Sequence, residues 1–137
     1  IRQVHRSEDR FFYRQKEKQV AEEWESEIEG CHSVIGKMKL KDEMGLMSNL
    51  DCMISMDSSA MHICSLFGTR VVSVWGATHP YAGFLGYQQK ESDVVSTDIP
   101  CRPCSIYGNK PCKYSDYRCF NIEPQTIVDR VLSVNMA

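Results

Sequence analysis

From Cys52 the chain reads CMISMDSSAMHICSLFGTRVVSVWG, and this stretch does most to restrict the folds open to it. A short apolar run, Cys52 to Met56, passes without a break into a helix-like pattern that ends at Gly68, and RVVSVWG then brings β-branched residues in nearly continuous order. A run so uniformly apolar fits a strand buried on both faces, which calls for a parallel sheet between two layers of helix. The rest of the chain keeps the same alternation. FFY (Phe11 to Tyr13) reads as a first strand, and KEKQVAEEWESEIEG sets Val20, Ala21, Trp24 and Ile28 on one helical stripe before a stop at Gly30. HSVIG is a second short apolar run, and Leu40, Met44, Met47 and Leu50 recur at helical spacing, although Gly45 weakens that helix by about 1 kcal/mol relative to alanine. DVVST reads as a fifth strand, and EPQTIVDRVLSVNM as a closing helix with Pro124 near its first turn and Ile127, Val128, Val131 and Leu132 on its apolar face. The βαβα rhythm predicts an α/β fold, a Rossmann-like parallel sheet flanked by helices.

A length of 137 residues suits one domain, residues 1–137, and a hydrophobic share of 42% beside 25% charged residues is that of a globular chain. Acids and bases alternate to a net charge of -2, so neither a nucleic-acid footprint nor an acidic disordered tail is expected. The longest stretch free of charged residues, VVSVWGATHPYAGFLGYQQ, is broken by glycines, a proline and polar side chains, so no membrane span is expected. The chain opens without an initiator methionine or a signal-peptide core and reads as part of something longer.

In open parallel sheets, ligands sit beyond the carboxyl ends of strands, where helix N-termini point their free N–H groups. Asp57 and Ser58 stand at such a junction, and a helix starting near Ser59 would offer backbone donors suited to a phosphate. His62 follows Ser58 by four residues and Ser59 by three, which sets it on their helical face, while Ala60, Ile63, Cys64 and Phe67 can turn to the sheet. The plainer reading is an ordinary N-cap, worth about 1 kcal/mol, with a surface histidine beside it. WGATHPYAGFLG follows the next strand and should bring Gly76, Thr78 and His79 out at the same sheet edge, its glycines permitting close backbone approach to a ligand.

Four of the seven cysteines, Cys101, Cys104, Cys112 and Cys119, crowd a loop-like region at residues 100–120 with the spacing C-x2-C-x7-C-x6-C. Two readings stay open: a structural zinc site, for which the first pair has suitable spacing, or a cluster of thiols or disulfides, with a reducing compartment favouring free thiols. Arg102, Lys110, Lys113 and Arg118 in the same loop read as solvated surface, or alternatively as a surface for an anionic acceptor glycan. Trp24 and the methionines at helical spacing read as core, with Met38, in a loop, the exception.

Glu17 opening a helix, GKMKL before the next helix, SMDSSAMH at the strand-to-helix junction and the G-x-T-x-P loop of Gly76, Thr78 and Pro80 together resemble the glycosyltransferase family 9 heptosyltransferases. That family transfers heptose from ADP-heptose to the lipopolysaccharide inner core, and its pattern usually has glycine where Ser59 stands. The resemblance runs from about Phe11 to the C-terminus. It implies the C-terminal, sugar-nucleotide-binding half of a GT-B enzyme acting in the cytoplasm, at the inner face of the inner membrane, with the acceptor domain elsewhere. Carried over by motif position, Asp57, Ser58, Ser59 and Ala60 contact the diphosphate and donor sugar with His62 and Thr78 beside them, Met38 packs on the adenine, and Glu17 reaches the ribose hydroxyls.

An inverting transfer needs a general base for the acceptor hydroxyl and stabilisation of the departing diphosphate. The residues here suit only the second task, so the base is expected in the missing domain and the isolated chain is expected to be inactive. No D-x-D occurs, so a metal-clamped diphosphate is not indicated and no cofactor is required, structural zinc aside. The alternative function is a noncatalytic zinc- or thiol-containing binding module on a Rossmann-like sheet.

Overall fold

A computed structural model describes residues 9–133, with side chains from Glu17 onward. These residues fall into two compact units, one ending at Leu46 and the other beginning at Met47.

The first unit is helical. Helix α1 spans Asp9–Glu27, and α2, Leu40–Met47, carries the chain to the boundary. The strand expected at Phe11 to Tyr13 is part of α1 instead. Three apolar residues do not make a strand without a partner to pair with, and the Arg, Gln, Lys and Glu that follow are good helix formers, so helix continues through them. The run HSVIG is likewise not a strand: it leads into a turn in which Gly36 takes a φ of 72°. Lys37 Nζ lies 3.0 Å from the Glu25 carboxylate and ties this loop back to α1. Its ammonium holds the Glu25 carboxyl below the usual range. The expected apolar stripe is present but uncovered, with Val20, Trp24 and Ile28 at 42%, 53% and 54% exposure, so Trp24 is not a core residue.

The second unit holds the sheet. Strands β1 (Met53–Met56), β2 (Val71–Trp75) and β3 (Val94–Ser96) lie in the order β1-β2-β3, all parallel. Met56 pairs with Val74, and Val74 with Val95. Every residue of the central strand is buried, as its continuous apolar sequence predicts. Helix α3 (Ser59–Leu66) packs on β1 and β2, and α4 (Pro124–Leu132) on β2 and β3. The period of two divides β2 between two cores. Val71 and Trp75 join Met61 and Cys64 of α3, while Val72, Val74 and Val95 pack with Ile127 and Val131 of α4.

The turn from α3 into β2 explains one departure from expectation. Phe67 is the C-cap, and Gly68 follows at φ 75°, where a side chain would be strained. The chain leaves the helix at Phe67, so this ring stays 42% exposed, and Met61 takes the buried place instead.

At the amino edge of the sheet, Arg70 precedes β2 and Asp93 precedes β3. Arg70 donates from Nε and Nη2 to the two Asp93 oxygens at 3.0 and 2.5 Å. It also donates to the carbonyls of Val131 at 3.0 Å and Arg130 at 2.8 Å, satisfying the C-terminal end of α4.

Candidate functional site

The carboxyl ends of β1 and β2 are neighbours, so the loops that leave them start side by side. Beyond β1, Ser58 takes the N-cap position of α3 with extended backbone (φ -156°, ψ 168°), yet its side chain makes no capping hydrogen bond. The Ser58 hydroxyl is drawn back instead, 3.0 Å from the Ser55 hydroxyl, which itself donates to the Met56 carbonyl at 3.0 Å. The simple N-cap reading therefore fails for Ser58. With no cap from Ser58 and no other side-chain partner among the described residues, the first N–H groups of α3 can meet solvent or an anion, and the helix dipole adds to their pull on negative charge.

Asp57 is half-buried and has no side-chain hydrogen bond or ion pair among the described residues. Ser59 is exposed and Ala60 is buried at 1% exposure, so a ligand at this turn meets the hydroxyl of one and the backbone of the other. His62 is exposed on the same helix, and its ring has no partner among the described residues.

Beyond β2, the loop Gly76 to Pro80 is shaped by its own chain. His79 accepts a hydrogen bond from the Tyr81 N–H at Nδ1, 3.1 Å, and so caps the short 3-10 turn Pro80–Ala82. The role of Gly76 differs from the one expected. A side chain there would stand 2.1 Å from the Phe120 ring, so the close approach that glycine permits is to this aromatic ring. Thr78 is half-buried at the centre of the loop.

Sequence reasoning missed what fixes this loop. The Cys104 N–H donates to the Ala77 carbonyl at 3.0 Å, and Arg102 donates to the Thr78 carbonyl from Nε at 3.3 Å and Nη2 at 2.9 Å. Arg102 also reaches the Thr97 carbonyl from Nη1 at 2.9 Å. The cysteine-rich segment is thus a brace on the loop, and Arg102 is no solvated surface cation. Only its place inside that segment could have hinted at this. Arg118 does lie at the surface, paired with Asp116 at 2.6 Å and 4.5 Å over the Tyr114 ring.

None of the seven cysteines is joined in a disulfide, and among the described residues no group of three or more His, Cys, Asp or Glu side chains is arranged to hold a metal ion. The thiols differ in character. Backbone N–H groups, those of Tyr114 and Tyr117 foremost, hold the Cys112 thiol below its ordinary pKa, whereas burial pushes Cys64 and Cys119 up. Since the thiolate is the nucleophile, Cys112 is expected to be alkylated first by iodoacetamide near neutral pH, and Cys64 and Cys119 last. Its rate should rise with pH earlier than theirs. Peptide mapping of a time course checks the order, and equal rates at Cys112 and Cys119 would contradict it.

Of the residues picked from sequence, Asp57, Ser58, Ser59 and Ala60 come together at the β1 exit, with Thr78 in the loop from the neighbouring strand. Glu17, on α1, and Met38, in the loop before α2 and 38% exposed, belong to the first unit.

The profile of glycosyltransferase family 9 (heptosyltransferase) matches residues 9–115. Lipooligosaccharide heptosyltransferase 2 of Campylobacter jejuni subsp. jejuni serotype O:6 is 24% identical over 82 residues, which are 59% of this chain and 25% of that protein. The protein of the same name from serotype O:2 is 24% identical over 81 residues, 58% of this chain and 24% of its own length. The matched stretch thus spans about a quarter of each of these relatives. No solved structure matches.

Proposed function

Because this chain belongs to glycosyltransferase family 9, we propose that the carboxyl edge of its sheet binds the sugar nucleotide in a transfer of heptose, or a related sugar, from ADP-heptose to the lipopolysaccharide inner core. The observation that carries this reading is the N-terminus of α3, left without a capping side chain by Ser58 and set just after β1, beside Asp57, which has no partner among the described residues. An anion placed there meets backbone donors that need no rearrangement, and charge growing on the diphosphate as the glycosidic bond breaks is stabilised where it develops.

In this reading the N–H groups of Ser59 and Ala60 take up the diphosphate, joined by the Ser58 hydroxyl once it turns its proton from Ser55 to the anion, with His62 and Thr78 at its flanks. Asp57, accepting only, serves the hydroxyls of the donor sugar. Met38 packs on the adenine and Glu17 accepts from the ribose. The general base and the acceptor site belong to the other half of a two-domain GT-B enzyme, working in the cytoplasm at the inner face of the inner membrane. Among the described residues no helix is long and apolar enough to cross a membrane.

Calorimetric titration of the purified chain with ADP should give weak, saturable binding, while ADP-heptose with an acceptor should give no transfer. Positioning two reactants is worth about 7 to 11 kcal/mol in favourable cases, and a lone donor-binding domain lacks that contribution. Transfer by the chain alone would contradict the division of labour. Absence of ADP binding, with zinc retained on the cysteines, would favour a noncatalytic metal module instead.

A further inference from the structure

Arg102 lies between two of the clustered cysteines, yet its half-buried side chain is engaged with backbone carbonyls. Nε and Nη2 converge on the Thr78 carbonyl at 3.3 and 2.9 Å, and Nη1 reaches the Thr97 carbonyl at 2.9 Å. Thr78 lies three residues beyond the end of β2 and Thr97 one residue beyond the end of β3, so one planar side chain ties together the exits of two adjacent strands. Burial pulls the Arg102 pKa down from its ordinary value, with the Cys119, Asp98 and Cys104 side chains acting the other way.

The contacts around it act on the same loop. The Cys104 N–H binds the Ala77 carbonyl, the Phe120 ring fills the space beside Gly76, and the Thr78 methyl stands 3.0 Å from where a side chain at Gly108 would begin. Thr97 returns the tie by donating from Oγ1 to the Cys119 carbonyl at 3.3 Å. Residues from both ends of the cysteine-rich segment therefore hold the loop Gly76 to Pro80.

We propose that Arg102 is a positioning residue for the donor site: by holding the Thr78 carbonyl against the exit of β3, it sets the shape of the loop that faces the bound nucleotide. This rests on the donor-binding reading above. Lysine would not replace it, since a single ammonium has no planar fork to span both carbonyls.

The experiment compares wild-type chain, Arg102→Lys and Arg102→Met by ADP calorimetry, with thermal unfolding of each in parallel. Both variants should bind ADP about five- to tenfold more weakly, the scale of coupling between distinct sites, and Arg102→Lys should keep its melting midpoint. A residue that merely supports the fold would lower the midpoint and leave the affinity of the folded fraction intact, and that result overturns the proposal. A measurement on the wild-type chain guards against a variant that fails to fold. The Arg102 Nε–H resonance should shift as ADP saturates the protein, and a resonance that stays in place while ADP binds also overturns the proposal. Should the wild-type chain bind no ADP at all, the donor-binding reading fails and takes this one with it. Binding that is equal in all three proteins sinks only the role of Arg102.

Discussion

Arg70→Met should destabilise the sheet-bearing unit by about 3 kcal/mol, near the lower end of what breaking a buried ion pair costs. The Arg70 and Asp93 side chains keep only 18% and 9% of their exposure, and the variant leaves the carboxylate buried without its counter-charge. It also strips the Val131 and Arg130 carbonyls of their donor, so the end of α4 loses its anchor to the sheet. Methionine fills much of the arginine stem's volume, so the loss is chiefly one of charge and hydrogen bonding. Urea unfolding followed by circular dichroism measures it. Arg118→Met is the control: its pair with Asp116 is exposed at 51% and 43%, and its loss should leave the midpoint unchanged. Similar shifts in the two variants would show that burial is not what makes the Arg70 pair important.

The second large effect is expected at Asp57, and it falls on binding alone. With no partner among the described residues, the carboxylate contributes little to the free protein, so Asp57→Ala should leave the melting midpoint nearly unchanged. If, as proposed, it accepts hydrogen bonds from the donor sugar's hydroxyls, each such bond to a charged group is worth about 1.5 to 3 kcal/mol. Affinity for ADP-heptose should therefore fall about tenfold to a hundredfold, while affinity for ADP, which lacks the heptose, changes little. The plainer role predicts the reverse. If Asp57 only steadied the start of α3, the variant would lose about 1 kcal/mol of stability and bind both nucleotides as before.

What could be read in the sequence followed the range of the forces involved. Strands β1, β2 and β3 and helices α3 and α4 stand where expected because each announces itself locally: unbroken apolar residues in β2, Gly68 after α3, Pro124 at the first turn of α4. Phe11 to Tyr13 and His32 to Gly36 failed as strands because a strand exists only when another pairs with it, and short apolar runs say nothing about the partner. The stripe of Val20, Trp24 and Ile28 shows the same limit. Periodicity marks the face a helix could bury, and whether anything covers that face is a tertiary fact.

The candidate site divides along the same line. Asp57 to Ala60 was legible, since a strand passing directly into a helix fixes where those residues emerge. That Ser58 would turn its hydroxyl to Ser55 was not, because either contact is open to a serine and packing around buried Ser55 decides between them. Gly76 signalled a close approach correctly but not by what, and Phe120 lies 44 residues further along the chain. Arg102 carried no signal of its own, because an arginine among lysines and cysteines looks like surface until its carbonyl partners are placed.

An anion site at the N-terminus of α3 is tested most directly by titrating the isotope-labelled chain with ADP and following it amide by amide. The N–H resonances of Ser58, Ser59 and Ala60 should move first and furthest, with Ala77 and Thr78 following, because phosphates bound as proposed would hydrogen-bond the start of α3 and reach the loop beside it. Shifts confined to the opposite edge of the sheet, at Arg70, Lys90 and Asp93, with the amides of Ser58 to Ala60 unmoved at saturation, would contradict it.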